Sequence, residues 1–228
     1  MKEESKSFKV IHFVGIGGSG MSGIAEVLHN LGFIVQGSDL IVSESTRRLS
    51  SLGIKVHRGH SKKNIDKAEL IVLSSAISKD NIEVQEAKNL NIPIIKRAEM
   101  LAELMRFRHG IAISGTHGKT TTTSLIASIL DESDLDPTFI IGGKLHKTNT
   151  NAKLGLGNFI VAEADESDTS FLHLQPKLSV VTNIDSDHLE NYGNNIERLK
   201  IGFLDFIHNL PFDGTVFMCI DDNNIKSI

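Results

Sequence analysis

One cysteine, Cys219, is the whole thiol content of the 228 residues. A lone thiol excludes both an intramolecular disulfide framework and a multi-cysteine zinc site, and a reducing compartment fits that usage. Cys219 itself reads as a small apolar strand residue. Long apolar runs are missing too: no uncharged stretch approaches the ~20 residues that span a bilayer. The opening MKEESKSF mixes charges with no apolar segment behind it, so no membrane partner is expected and the expected location is the cytoplasm. Nor does one sign of charge dominate. The 24 basic and 28 acidic side chains give a formal charge of -4, which provides no basic footprint for nucleic acid. An anionic ligand would have to be held by local geometry. There is also no internal repeat, no low-complexity tract, and no recognisable Ser/His/Asp arrangement for nucleophilic catalysis.

What is present is a chain 40% hydrophobic with charges spread along its length, enough to bury one or two ordinary cores. Short β-branched runs alternate with amphipathic stretches: FKVIHFV (8 to 14), MSGIAEVLHNL (21 to 31), FIVQG (33 to 37), ELIVLSS (69 to 75), a helical EVQEAKNL, IPII (92 to 95) and a helical RAEMLAELMRF (97 to 107). That order predicts right-handed βαβ units on a parallel sheet. A fresh strand, GIAISG (110 to 115), places a domain boundary near Phe107 to Gly110, giving domains 1-108 and 109-228. NFIVAEA (158 to 164), LSVVTNI (178 to 184) and TVFMCI (215 to 220) read as further strands, with a helix over roughly 195 to 208. The second sheet then has few strands and no closing helix, so the chain is expected to be a fragment.

The first chemical signal is VGIGGSGMSG at 14 to 23. Gly15, Gly17 and Gly20 match the G-x-G-x-x-G spacing between a strand and a helix, where backbone N–H groups and a helix N-terminus approach a diphosphate. Gly18, Gly23, Ser19 and Ser22 go beyond that spacing, and the two hydroxyls add donors. Asp39, ending the second strand, lies where an acidic residue meets a ribose hydroxyl. On these residues alone NAD is as good a ligand as any.

The second signal is SGTHGKTTTT at 114 to 123, a Gly-Lys-Thr loop between a strand and a helix. In such a loop Lys119 meets β- and γ-phosphate oxygens and the Thr120 hydroxyl binds bridging magnesium. It is a variant, because Gly115 stands only three residues before Gly118. His117 is either a phosphate contact or an exposed loop histidine. Two acidic clusters follow, each at the carboxyl end of an expected strand, the edge where open α/β sheets bind ligands. Of Glu163, Asp165, Glu166 and Asp168, most are expected to be solvated and one or two to hold magnesium, since an unpaired buried carboxylate costs several kcal/mol. Asp185, Asp187 and His188 form the second cluster, suited to magnesium with retained waters, with turn and capping roles as the alternative for the two aspartates.

Together GIGGSGMSG, GTHGKTTTT, AEADESD with SFLHLQP, TNIDSDH and HNLPF (208 to 212) resemble the Mur ligase family, most closely its UDP-N-acetylmuramate:L-alanine ligases, from about residue 8 onward. The resemblance implies an α/β fold, with a Rossmann-like, parallel-sheet UDP-sugar domain followed by a partial P-loop-type ATPase domain. A third domain, which selects the amino acid, would lie outside the chain. It implies ATP and Mg2+ as cofactors, with UDP-N-acetylmuramate and L-alanine as small-molecule substrates. Gly15, Gly17, Gly18, Ser19, Gly20, Met21, Ser22, Asp39, His60, Ser74, Ser75 and Ala76 would contact the UDP-sugar, and Gly115, Thr116, His117, Gly118, Lys119, Thr120 and Thr121 the ATP. Thr120, Glu163 and His188 would hold magnesium, with Lys119, Glu163 and His188 catalytic. Some related ligases carry a carbamylated lysine; Lys200 matches by rough position, although a solvated helix lysine is the favoured reading. The implied reaction makes an acyl phosphate from a carboxylate and ATP, then an amide. The alternatives are a sister ligase, such as the one recycling murein tripeptide, an NAD-dependent oxidoreductase, or a nucleotide-binding module without chemistry.

Overall fold

The computed structural model describes residues 8–106, 108–145, 150–187 and 189–228, with Ser19 and residues 143–145 through their backbone alone. The chain divides into two compact units, parted between Met100 and Leu101.

The first unit runs β1 (Val10–Val14), α1 (Ser19–Asn30), β2 (Ile34–Asp39), α2 (Glu44–Ser51), β3 (Lys55–Arg58), β4 (Leu70–Leu73), α3 (Ile82–Asn89), β5 (Ile94–Lys96) and the start of α4 (Arg97–Arg106). All of its strand pairs are parallel, in the order β3-β2-β1-β4-β5. Central β1 is covered on both faces, with Ile11, Phe13 and Val14 buried, as a parallel sheet between helices requires. Helix α1 is buried from Met21 through Leu28, all round and not along one stripe. Neither α2 nor β3 stands out in the sequence. The helix α2 buries only Thr46 and Leu49 and is started by a capping box at Ser43, whose hydroxyl accepts from the Thr46 N–H while Thr46 Oγ1 accepts from the Ser43 N–H.

The second unit holds β6 (His109–Ser114), α5 (Lys119–Glu132), β7 (Thr138–Leu145), β8 (Thr150–Lys153), β9 (Phe159–Glu163), β10 (Leu178–Val181), α6 (Ile196–His208), β11 (Thr215–Met218) and α7 (Asn223–Lys226). Its six-stranded sheet has the order β11-β10-β6-β9-β7-β8. Here the structure corrects the expectation of few strands and no closing helix. Strands β7 and β8 are present and pair antiparallel, so the sheet is mixed, and α7 adds one turn capped by Asp222, whose Oδ1 accepts from the Ile225 N–H. Cys219 is also corrected: it lies just past β11 and is exposed.

One core of this unit joins Ile111, Ile113, Ala127, Phe139, Ile141 and Val161. Another is aromatic, with Phe171 edge-on to Phe203 at 5.4 Å and stacked on Phe206 at 5.1 Å, all three fully buried. Truncating such a ring removes both its transfer energy and its neighbours' contacts. Phe203→Ala is expected to destabilise this unit by about 3–5 kcal/mol, read as lost hydrogen-exchange protection at β6 and β10 amides. Unchanged protection would show that the aromatic cluster is peripheral.

Candidate functional site

In the first unit the strand order reverses at β1, which lies between β2 and β4, and the crevice beyond such a switch point is where open α/β sheets take ligands. The glycine loop leaves β1 there and hangs from one carbonyl: the N–H groups of Gly15 and Ile16 both donate to Ser38 O, at 2.9 and 3.0 Å. Asp39 ties the loop's next residue, its Oδ2 accepting from Gly17 N at 2.8 Å while Oδ1 accepts from Ile41 N at 3.0 Å. A Cβ on Gly17 would sit 2.8 Å from Asp39 Oδ2 and 2.9 Å from Thr46 Cγ2, so this position admits no side chain. Helix α1 follows with Gly18 as its N-cap, without a side-chain cap bond and without an acidic residue in its first turn. Its leading amides and dipole are thereby left for an anion.

Ser74 reaches the same loop from β4. Its N–H donates to Val14 O at 3.2 Å, and its Cβ lies 3.1 Å from where a Cβ on Gly15 would stand. Ser75 and Ala76 continue this turn, with Ala76 N donating to Ser74 Oγ at 3.4 Å. Met21 and Ser22 are buried within α1, so from these two the loop side receives backbone. Ser19 is placed by its backbone alone, as the first residue of α1. Beside Asp39 opens a cavity of about 240 Å³, lined by Ile41, Val42, Thr46, Arg47, His57 and Arg58 among others. Apart from Asp39 the sequence offered no signal for its lining, because the rest falls on the unanticipated α2 and β3 or, like Ile41 and Val42, on the loop before α2.

His60 joins this site through the end of β2, with Nδ1 3.0 Å from Ser38 Oγ. Behind both stands a group that sequence reasoning missed, the fully buried carboxylate of Glu83 at the start of α3. Its Oε1 accepts from Ser61 N (3.1 Å) and Asn64 Nδ2 (2.6 Å). Its Oε2 accepts from Ser38 Oγ at 2.5 Å and lies 3.3 Å from both His12 Nε2 and His60 Nδ1. Burial alone would push this carboxyl up, but the hydrogen bonds from His12, Ser38 and Asn64 outweigh it and hold the group down at about 2.

In the second unit, loops from β6, β9 and β10 meet at the carboxyl edge of the sheet. Gly115 has φ +130°, and a Cβ there would lie 2.1 Å from Thr182 Oγ1, so only glycine lets the loop pass β10. The loop is then stapled to the β10 end. Thr116 N donates to Asn183 O (3.1 Å), His117 N donates to Asn183 Oδ1 (2.8 Å), and Asp185 N donates to Thr116 Oγ1 (2.8 Å). His117 O in turn accepts from Thr182 Oγ1 and Asn183 Nδ2, at 2.7 and 2.9 Å. Gly118, at φ +83°, turns the chain into α5 with open space where a side chain would be.

Lys119 folds its amine back over this loop, donating to Gly115 O at 2.6 Å, Thr116 O at 3.3 Å and both carboxylate oxygens of Glu166 at 2.9 Å. Of the four acids expected to be mostly solvated, Glu166 is the one turned inward: it is 2% exposed, and burial pushes its carboxyl up against the opposing pull of Lys119. The run AEADESD could not reveal this, because which carboxylate turns inward depends on the turn that follows β9. Glu163, at the end of β9, keeps partial exposure and accepts from Gly142 N at 2.8 Å through Oε1. Thr120 and Thr121 lie exposed on the first turn of α5.

The His117 ring is half exposed, with Nε2 3.4 Å from a carboxylate oxygen of Asp185 and of Asp187. The Ser186 N–H, followed by the His117 ring, holds Asp185 below its ordinary value. His188, a candidate catalytic residue and metal ligand, lies outside the described residues. Among the described residues no three His, Cys, Asp or Glu side chains gather within reach of one metal ion. The Thr120 hydroxyl and Glu163 carboxylate are hard oxygen ligands, the type magnesium takes while retaining several waters. Lys200 is not the solvated helix lysine expected, for its side chain is 13% exposed and pairs with Glu197 at 3.0 Å.

Comparison with known proteins places this geometry. The family described as "Mur ligase family, catalytic domain" matches residues 10–109, and that described as "Mur ligase middle domain" matches residues 113–228. A UDP-N-acetylmuramate--L-alanine ligase of Methylobacillus flagellatus is 62% identical over 220 residues, covering 96% of this chain and 46% of the relative. A protein of the same name from Neisseria gonorrhoeae is 62% identical over 218 residues, again 96% of this chain and 46% of the relative. The chain therefore spans about half the length of the curated relatives it matches. Among solved structures, a UDP-N-acetylmuramate-alanine ligase of Thermotoga maritima superposes with a TM-score of 0.87 at 34% identity, over 94% of this chain and 50% of that one. The UDP-N-acetylmuramate:L-alanyl-gamma-D-glutamyl-meso-diaminopimelate ligase of Neisseria meningitides gives 0.89 at 28% identity, over 97% and 74%.

Two outcomes follow from the geometry. Glu83 has a folded-state value near 2 against an ordinary 4.5. Its contribution to stability is therefore complete above about pH 4.5 and is lost as pH falls from there toward 2. Acid unfolding of the first unit, followed by circular dichroism, should lose steepness across that window in Glu83→Gln; an unaltered profile would remove the carboxylate from the account. Gly115→Ala should destabilise the second unit by about 1–3 kcal/mol through backbone strain alone, with the Thr182 clash adding to it. An unshifted thermal midpoint would contradict this.

Proposed function

The chain belongs to the Mur ligase family, and we propose that it is the UDP-sugar-binding and ATP-binding part of a ligase that joins L-alanine to the carboxylate of UDP-N-acetylmuramate. The observation that carries the reading is the cradle at residues 115 to 119. A loop that only glycine permits, pinned to the β10 end, carries the open N-terminus of α5 and the Lys119 amine on one stretch of backbone. Such a cradle suits a triphosphate. In this reading Gly115 to Thr121 hold ATP, and the glycine loop with Asp39, His60 and the turn at Ser74 to Ala76 holds the UDP-sugar. The cavity beside Asp39 offers apolar walls and arginines for the nucleoside end.

The chemistry explains the residue types. A carboxylate oxygen of the sugar's lactyl group attacks the γ-phosphorus of ATP. The bond to the ADP oxygen breaks, and an acyl phosphate forms. The amine of alanine then attacks the acyl carbon, loses a proton, and phosphate departs. The first step drives two anions together, so positioning and charge neutralisation matter more than any enzyme nucleophile. Lys119 supplies a fixed cation at the phosphate tail once the nucleotide takes the place of Glu166 as its partner. Magnesium, when bound, adds positive charge to the phosphoryl oxygens, and Thr120, Glu163 and His188 are the residues that would hold it. The UDP end gives binding energy remote from the reacting atoms, which keeps the carboxylate in line. The substrates being small molecules, no nucleic-acid or membrane partner is invoked, and the setting is cytoplasmic.

A second reading, ligation of a murein tripeptide to the same UDP-sugar, is favoured by the slightly higher TM-score on the Neisseria meningitides ligase, 0.89 against 0.87. Against it stands the 62% identity to relatives named for L-alanine. The two differ in the amine they accept. Phosphate release by the full-length protein with ATP, magnesium and UDP-N-acetylmuramate should require L-alanine, and release driven by the tripeptide alone would select the other reading. Lys119→Ala should reduce release by about 10²- to 10³-fold or more while UDP-sugar binding stays near wild type. Undiminished turnover would remove the phosphate-loop assignment.

A further inference from the structure

The network around Glu83 has a consequence for recognition that rests on the reading of this crevice as a UDP-sugar site. Glu83 is out of water and accepts hydrogen bonds from three segments: β1 through His12, β2 through Ser38, and the stretch after β3 through Ser61 and Asn64, besides its approach to His60. An ionised carboxylate can only accept, whereas a serine hydroxyl has one proton to give and an oxygen that can accept. At 2.5 Å from Glu83 Oε2, Ser38 gives that proton to the carboxylate. Its oxygen, 3.0 Å from His60 Nδ1, is then left as an acceptor. For this contact to be a hydrogen bond, Nδ1 must bear the hydrogen, and its second neighbour, Glu83 Oε2 at 3.3 Å, makes the same demand.

We propose that Glu83 is a positioning residue that, through Ser38, fixes His60 with its proton on Nδ1, so that Nε2 meets the ligand as a hydrogen-bond acceptor. The group selected is then a donor on the nucleoside or sugar, a hydroxyl or an imide N–H, and not a phosphate oxygen, which would need Nε2–H. The assignment divides labour within the crevice. The diphosphate falls to the glycine-loop amides and the start of α1, and His60 reads an uncharged part of the ligand. Ser38 sits at the division, since its carbonyl carries the loop amides of Gly15 and Ile16 while its hydroxyl passes the Glu83 constraint to His60. The neighbouring acceptor Oε1 is engaged by Asn64 and Ser61, which keeps the carboxylate from swinging away from Ser38.

The test reads the tautomer directly. In the chain labelled with 15N-histidine, long-range 1H–15N correlation at neutral to mildly basic pH should show His60, assigned by loss of its signals in His60→Gln, as the Nδ1–H form. Adding UDP or UDP-N-acetylmuramate should shift the Nε2 resonance while that nitrogen stays unprotonated. In Glu83→Gln the proton should redistribute to Nε2 and UDP affinity should fall about tenfold, the size of one lost hydrogen bond. In Ser38→Ala the tautomer preference should weaken, because only the longer Glu83 contact remains. An Nε2–H tautomer or an imidazolium in the wild-type complex overturns the proposal, as does a Glu83→Gln variant with unaltered tautomer and affinity. Should Glu83→Gln fail to fold, the wild-type spectra decide. A wild-type chain that binds neither UDP nor UDP-N-acetylmuramate refutes the UDP-sugar reading instead, and leaves the free-state tautomer as a separate result.

Discussion

An ionised carboxylate taken out of water must be surrounded by donors or give up its charge, and that constraint shapes the candidate site in each unit. Glu83 meets it with side chains and one backbone amide drawn from three segments, and in doing so locks together the strand ends around the glycine loop. Among the described residues Glu166 meets it with one side chain, the Lys119 amine, helped by a backbone N–H. The two solutions have different consequences. Distributed donors make a rigid frame that no single change of partner undoes. A lone counter-ion is one that another anion can replace, and this one keeps the lysine aimed over the loop. The rest of the local architecture follows from these anchors: Ser38 hangs the first loop, and the β10 end hangs the second.

Much of this was legible in the residues, for a physical reason. Strand-loop-helix units built around glycine and lysine declare themselves because both the geometry and the chemistry demand specific residues at short spacing. The glycine loop, the Gly-Lys-Thr loop and the strands that feed them are all where the spacing puts them. Segments that rely on tertiary support were harder to see. Helix α2 buries only Thr46 and Leu49, and β3 is a polar edge strand. The run TFIIGGKL of β7 is broken by two glycines, and its partner β8, TNAK, has no apolar pattern of its own. The antiparallel pair, and with it the mixed character of the second sheet, was hidden for that reason.

At the sites the same distinction holds. Lys119 announces itself through its neighbours in sequence, while Glu83 lies in an ordinary amphipathic helix and becomes meaningful only when β1, β2 and the stretch after β3 close around it. Glu166 stands in a run of acids that the sequence does not tell apart, and the turn after β9 decides which of them faces inward. Lys200 and Cys219 went the opposite ways, the lysine largely covered and the cysteine exposed, because both sit where helix or strand meets the surface and local sequence does not say which side faces solvent.

The contact between Gly115 and Thr182 has an evolutionary corollary. Two separate obstacles keep a side chain out of position 115: the oxygen of Thr182 occupies its place, and the backbone angle of +130° suits no L-residue. Shrinking residue 182 would remove that oxygen but leave the backbone of residues 182 and 183 at 3.0 Å and the angle unchanged. Epistasis between the two positions therefore runs one way. Residue 182 answers to its own hydrogen bond to His117 O and not to the identity of 115, whereas no change at 182 alone frees 115, and the turn entering the phosphate loop can be altered only by rebuilding its backbone.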